Sequence, residues 1–127
     1  MNIPGNLKYT RDHEWILAEG DTATIGITDF AQKQLGDIVF VELRRAGEVF
    51  EQDETFGTVE SVKSVSELFM PVAGEIIQLN DELNDSPELA NTDPYTDGWL
   101  IKIKLKDAKS VNSLLSAAEY EKLIAEE

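Results

Sequence analysis

Thr55-Phe-Gly-Thr-Val-Glu60-Ser-Val-Lys63-Ser-Val-Ser-Glu67-Leu-Phe-Met-Pro71-Val-Ala-Gly74 holds two runs of alternating apolar and polar residues that meet at a lysine. Alternation with period two belongs to half-buried strands, and a short polar break between two such runs belongs to a turn. The stretch predicts a β-hairpin over about 55–70 with the Lys63 amine at its tip. Charge isolates the same residue. Lys63 is the only base between Arg45 and Lys102; residues 46–101 hold thirteen Asp or Glu against it, a local charge of −12, whereas the other 71 residues hold twelve acids and ten bases. A lysine serving only as surface charge usually has company.

Working outward, the rest of the chain also reads as mainly β. Strands are predicted over Ile38–Leu43, Gly74–Leu79 and Trp99–Lys104, in addition to the two of the hairpin. In the last of them Trp99, Ile101, Ile103 and Leu105 share one face and Lys102, Lys104 and Lys106 the other, which makes one face core and the other solvent. Upstream, Glu14–Ala18 and Thr22–Ile27 flank Glu19-Gly20-Asp21 as a second hairpin. A two-turn helix is expected from Thr28-Asp29 to Gly36, with Gln32 three residues after Asp29 as in a capping box. Asn80 to Gly98 is expected to be an ordered surface crossover or a loop with short helical turns. Two short helices over about 109–125 end the chain, the second opened by the capping-box signature of Ser116 and Glu119, and their apolar stripe is read as core. Gly36-Asp-Ile38 and Gly74-Glu-Ile76, 38 residues apart on either side of the lysine turn, are either an internal repeat with quasi-twofold symmetry or a common way to open a strand.

At 127 residues and 42% hydrophobic content the chain closes one core and not two, so residues 1–127 are read as a single domain. A net charge of −14 repels phosphate backbones and anionic lipid, and no apolar run has the length of a signal peptide or a membrane span. Neither nucleic acid nor a membrane is expected as a partner, and the chain is read as a full-length cytoplasmic protein. There is no cysteine and one histidine, which excludes a disulfide framework, a thiolate metal site and a His-based zinc cage.

Catalytic constellations are scarce. His13 lies between Asp12 and Glu14, but sequence neighbours on a strand point to opposite faces, and a structural or surface role fits it better than a general base. Glu51, Asp53 and Glu54, and Asp81, Glu82 and Asp85, lack the spacing and the fixed glycine of a calcium loop and read as a solvated acidic face. No phosphate-binding glycine loop and no nucleophile elbow are present. Lys63 itself is a poor nucleophile, because an acidic neighbourhood stabilises its ammonium form. It is better placed to be acylated by another enzyme than to attack a substrate. Spacing alone leaves a solvated turn lysine as the other reading.

Val59-Glu-Ser-Val-Lys63-Ser64 closely resembles the lipoyl-attachment motif of the glycine cleavage system H proteins. Leu7-Lys-Tyr9, His13-Glu-Trp15, Thr24-Ile-Gly-Ile-Thr28, Leu35-Gly-Asp37, Val39-Phe-Val-Glu-Leu43, Pro71-Val-Ala-Gly-Glu75, Asn91-x-x-Pro94-Tyr95 and Gly98-Trp-Leu-Ile-Lys-Ile103 follow in family order, so the resemblance covers essentially the full length. It implies a lipoyl/biotinyl-type flattened β-barrel, a barrel-sandwich hybrid with one short helix in the N-terminal half and helices at the C-terminus. It also implies (R)-lipoate in amide linkage on Lys63, recognition of Glu60 and Gly74 by the lipoylating enzyme, and a cleft in which Glu14 and Glu67 hold the loaded arm. Ser64-Val65 replaces the family's frequent Ala-Thr or Ala-Ala, a departure that touches arm docking and not attachment.

The function implied is a shuttle with no active site of its own. Lipoyl-Lys63 would carry the aminomethyl group of glycine from a pyridoxal-phosphate glycine decarboxylase to a tetrahydrofolate-dependent aminomethyltransferase, and dihydrolipoamide dehydrogenase would reoxidise it. A lipoate ligase or a lipoyl or octanoyl transferase would load the lysine, and the protein is expected to act as a monomer. Two alternatives stand beside this reading: a lipoate or octanoate donor in a lipoyl relay, and, from another class, an unmodified acidic module that binds a basic partner. Biotin carriers surround their lysine with Met, and Val62 and Ser64 argue against that form.

Overall fold

The computed structural model describes residues 1–127. The N-terminal part is a three-strand meander of β1 (Lys8–Tyr9), β2 (Glu14–Glu19) and β3 (Thr22–Ile27), in which Gly20 takes the left-handed turn position at φ 66°. Helix α1 (Asp29–Leu35) follows, then β4 (Ile38–Leu43), β5 (Val49–Phe50), β6 (Thr55–Ser61), β7 (Val65–Phe69) and β8 (Gly74–Leu79). The acidic crossover contains only two single turns, α2 (Glu82–Asp85) and α3 (Leu89–Thr92), before β9 (Ile101–Leu105).

The strands form two sheets, a six-stranded one in the order β1-β2-β3-β9-β8-β5 and a three-stranded one in the order β4-β6-β7. Between them lies a core of twenty buried residues, with Ile25, Phe56, Val59, Met70, Ile76 and Ile103 fully enclosed. Each such side chain contributes about 1.5–3 kcal/mol by leaving water. The face assignment holds within β9, where Ile101, Ile103 and Leu105 are buried and Lys104 and Lys106 exposed, but the strand starts at Ile101: Trp99 lies before it, half-buried with Lys102 over its ring, and Leu100 is buried. This is the mainly β, flattened barrel-sandwich architecture expected, with two facing sheets in place of one closed ladder.

The repeat is real at the level of the backbone. β4 and β8 fall in different sheets, each holds a buried isoleucine, Ile38 at the start of β4 and Ile76 third in β8, and each carries a register shift directly after it, between Ile38 and Phe40 and between Ile76 and Gln78. The residues inside the two shifts, Val39 and Ile77, are both turned outward. A bulge at the same place in both copies is not expected of a chance similarity in strand openings.

Two details differ from the sequence-based expectation. The side-chain cap of α1 is Thr28, whose hydroxyl accepts from the Ala31 N–H, and Gln32 bonds the side chain of Asp29 and does not form a capping box. The first C-terminal helix is a 3₁₀ segment, Ala108–Ser113, after which Leu115 runs extended and pairs with Tyr9. Three-residue turns bury Val111 while releasing Leu115 to the sheet. Helix α4 (Ala117–Ala125) has the expected capping box of Ser116 and Glu119. Its Tyr120 stacks on Tyr9 with ring centroids 4.7 Å apart, closing a second small core with Leu7 and Trp15. The Tyr120 hydroxyl meets Thr28 Oγ1 at 2.7 Å and His13 Nδ1 at 2.9 Å, which gives His13 a structural role at an unusual φ of 67°. No helix is long and apolar enough to cross a membrane.

Candidate functional site

β6 and β7 form the predicted hairpin, and Lys63 is at its tip. Beyond the last ladder pair, Glu60 with Val65, the Ser61 N–H donates to the Ser64 carbonyl at 2.8 Å and closes the turn. Ser61 Oγ then accepts from the Ser64 N–H at 3.1 Å and the Lys63 N–H at 3.3 Å. The Lys63 and Ser64 peptide donors are thus met by a serine side chain, and the lysine side chain is not needed to satisfy them. Lys63 is exposed and takes part in none of the four ion pairs of the molecule.

The tip rests on the turn between α1 and β4. Gly36 there has φ 80°, and a methyl group on it would lie 3.2 Å from Lys63 Cε, so glycine meets both a backbone need and a close approach. The Val62 N–H donates to the Asp37 carbonyl at 3.0 Å. Asn91, from α3, grips the same turn: its Oδ1 accepts from the Ile38 N–H at 2.8 Å, and its Nδ2 donates to the Gly36 carbonyl at 2.9 Å and to Gln32 Oε1 at 3.0 Å.

The other residues singled out in the sequence are partly brought together. Glu60 and Glu67 are exposed on the hairpin, Glu60 between Phe40 and Val65 and Glu67 beside Thr58 in the ladder. Gly74 is in the other sheet, at the start of β8, where a Cβ would meet the Lys104 carbonyl at 2.7 Å. Glu14 lies at the start of β2 and is 2% exposed. Its Oε2 accepts from the Phe69 N–H at 2.7 Å and its Oε1 from the Thr10 hydroxyl at 3.3 Å, so it joins the six-stranded sheet to the far end of the lysine hairpin. Burial pushes its carboxyl up to about 8 against the pull of the Phe69 hydrogen bond, and the charges of Asp12 and Asp53 push the same way.

Beside Glu14 is a cleft of about 320 Å³ lined among others by Thr10, Asp12, Asp53 and Pro71. The largest depression, about 690 Å³, lies at the opposite end of β4 from the lysine, around Arg44, Arg45, Gly57 and Thr58, where Arg44 is already paired with Glu48. Its distance from the tip separates it from any chemistry at Lys63. Leu35-Gly-Asp37 and Asn91-x-x-Pro94-Tyr95 stand out in the sequence, but neither motif carries a hint that Gly36 and Asp37 support the lysine tip or that Asn91 grips them.

A two-sheet scaffold with quasi-twofold strands and one unpaired amine on a braced hairpin tip defines a carrier of the lipoyl/biotinyl type. The family model for the glycine cleavage H-protein matches residues 7–127. Glycine cleavage system H proteins of Bacteroides thetaiotaomicron and Chlorobium phaeobacteroides are 56% and 58% identical, each with 98% of both chains covered. The crystal structure of a glycine cleavage system H protein from Mycobacterium marinum is similar with a TM-score of 0.88 at 42% identity, over 97% of this chain and 99% of that one. The chain belongs to the glycine cleavage H-protein family, the carriers that shuttle the lipoyl-bound aminomethyl group between the P, T and L proteins of the system.

Proposed function

We propose that this chain carries lipoate in amide linkage on Lys63 and performs no catalytic step of its own. The observation that carries the reading is the tip itself: one exposed amine, free of ion pairs, on a turn whose peptide donors are all satisfied without it. Nothing has to be broken for an acylating enzyme to reach Nζ. Lipoate supplies the disulfide that accepts the aminomethyl group, and the protein's part is to present and to shelter.

Presentation falls to the hairpin. Glu60, exposed next to the tip and flanked by the outward-facing Phe40 and Val65, offers a carboxylate within an apolar frame for a lipoate ligase or lipoyl transferase to read. Gly74 acts at one remove, since a side chain there would force β8 and β9 apart and shift the sheet behind the hairpin. Shelter falls to the far end of β7. Four strand rises of about 3.3 Å put Phe69 roughly 13 Å from Val65. There, the carboxylates of Asp12 and Asp53 line a cleft where a cationic amine would be paired, with Glu14 buried behind them. An arriving ammonium would draw the proton off Glu14, which solvent alone does only near pH 8. Glu67, exposed on the same strand, adds negative charge along the way.

The partners are the glycine decarboxylase, the aminomethyltransferase and the dihydrolipoamide dehydrogenase of the system, met by a cytoplasmic monomer whose charge of −14 favours basic docking surfaces and makes encounter salt-dependent. Lys63→Arg tests the reading. The variant should fold normally and fail to support glycine cleavage in a reconstituted assay, because a guanidinium is not acylated. Activity retained by this variant would remove Lys63 from the account.

A further inference from the structure

We propose that Asn91 is the positioning residue for Lys63: through the peptide that joins Asp37 to Ile38, it sets the posture in which the hairpin tip offers its amine for acylation. This rests on Lys63 being the acylated lysine.

Apart from bonds within the turn, the tip is tied to the rest of the protein by one peptide hydrogen bond, from the Val62 N–H to the Asp37 carbonyl. That carbonyl belongs to the same planar unit as the Ile38 N–H, and in a trans peptide the two point in opposite directions. Asn91 Oδ1 accepts from the Ile38 N–H at 2.8 Å on one side while Val62 donates to the carbonyl at 3.0 Å on the other. The rotation of this unit is therefore held by Asn91 and read by Val62, the residue before the lysine. Asn91 Nδ2 holds the preceding unit as well, through the Gly36 carbonyl at 2.9 Å, so one side-chain amide fixes the peptides on both sides of Asp37.

The grip is itself braced. Asn91 Nδ2 also donates to Gln32 Oε1, and Gln32 Nε2 donates to Asp29 Oδ1 at 2.8 Å, which roots the network in the first turn of α1. The same turn carries Gly36, against which the Lys63 stem lies. Asn91 makes its hydrogen bonds to Ile38, Gly36 and Gln32 and none to Lys63. Its effect on acylation runs wholly through the posture of the tip.

Full-length Asn91→Ala and Asn91→Asp are compared with the wild type by amide hydrogen exchange and by acylation with a lipoate ligase, ATP and lipoate, read as intact mass with peptide mapping. Asn91→Ala should exchange the Val62 amide faster while Val59 and Ile103 keep their protection, and kcat/KM for acylation should fall about tenfold, the worth of one such hydrogen bond. Asn91→Asp keeps the acceptor for the Ile38 N–H but sets its second oxygen against the Gly36 carbonyl and Gln32 Oε1, which lose their donor, so in this variant too Val62 should exchange faster and acylation fall while Val59 and Ile103 keep their protection. Unchanged Val62 exchange or unchanged acylation in Asn91→Ala overturns the inference. If Asn91→Ala loses protection everywhere, the aspartate variant decides: unchanged Val62 exchange or unchanged acylation there, with the rest of the sheet intact, overturns it too. A wild type that takes lipoate elsewhere than Lys63 removes the reading of the lysine, and the exchange experiment still tests the relay from Asn91 to Val62.

Discussion

Glu14→Gln isolates a single buried carboxyl and gives a sign as well as a size. In the folded chain this group is pushed from 4.5 to about 8, first by burial, so it keeps its proton where the unfolded chain releases it. Stability is unaffected by the group below about pH 4.5, falls as pH rises towards about 8, and levels off above. The full penalty is on the order of 5 kcal/mol, and roughly 2–3 kcal/mol of it falls between about pH 6 and about pH 9. The glutamine removes the charge and keeps an oxygen that accepts from the Phe69 N–H. Every other titratable group is common to the two proteins and cancels in the comparison. Urea unfolding should therefore show wild type losing ground to the variant between the two pH values, by a midpoint difference on the order of 1 M. Parallel pH dependence of the two proteins would refute the assignment of a raised, buried carboxyl at Glu14.

Gly57→Ala should be the more damaging of two further changes: its Cβ would collide with the Glu42 carbonyl in the β4–β6 pair, and forcing the strands apart should cost about 1–3 kcal/mol in chemical unfolding. Ser116→Ala removes the hydroxyl that accepts the Glu119 N–H at 3.2 Å and should lower stability by about 1 kcal/mol, with hydrogen exchange speeding up in α4 ahead of the β-sheets.

The parts of the fold legible in the sequence are those in which period and chemistry agree locally. β4 and β8 have the bounds expected, the lysine hairpin is at its predicted place, and the faces of β9 follow its alternation of isoleucine and lysine. β1 and β5 are two residues long, too short for a period to register, and their pairing comes from β2 and β8. The cap of α1 was misplaced by one residue because Thr28 and Asp29 are both cap formers, and only the position of the Ala31 N–H chooses between them. The 3₁₀ geometry of Ala108–Ser113 follows from a tertiary demand, the pairing of Leu115 with Tyr9, that residue spacing does not contain.

The site divides in the same way. Lys63 stands out by charge isolation and by its place between two alternating runs, and Glu60 and Glu67 come with it on the same strands. Glu14 was read from resemblance alone as a surface acid of a cleft; the structure puts it 2% exposed and hydrogen-bonded to the backbone of β7, with Asp12, Asp53 and Thr10 forming the accessible wall. The grip of Asn91 on Gly36 and Ile38 spans more than fifty residues of sequence, through single hydrogen bonds that leave no periodic trace.

The central claim is that this protein works through an acyl group on one lysine. Its most direct test is the intact mass, with peptide mapping, of the protein purified from its own cells grown on glycine. The account predicts a lipoyl or octanoyl adduct confined to Lys63; a homogeneous unmodified mass, or an adduct on any other lysine, would contradict it.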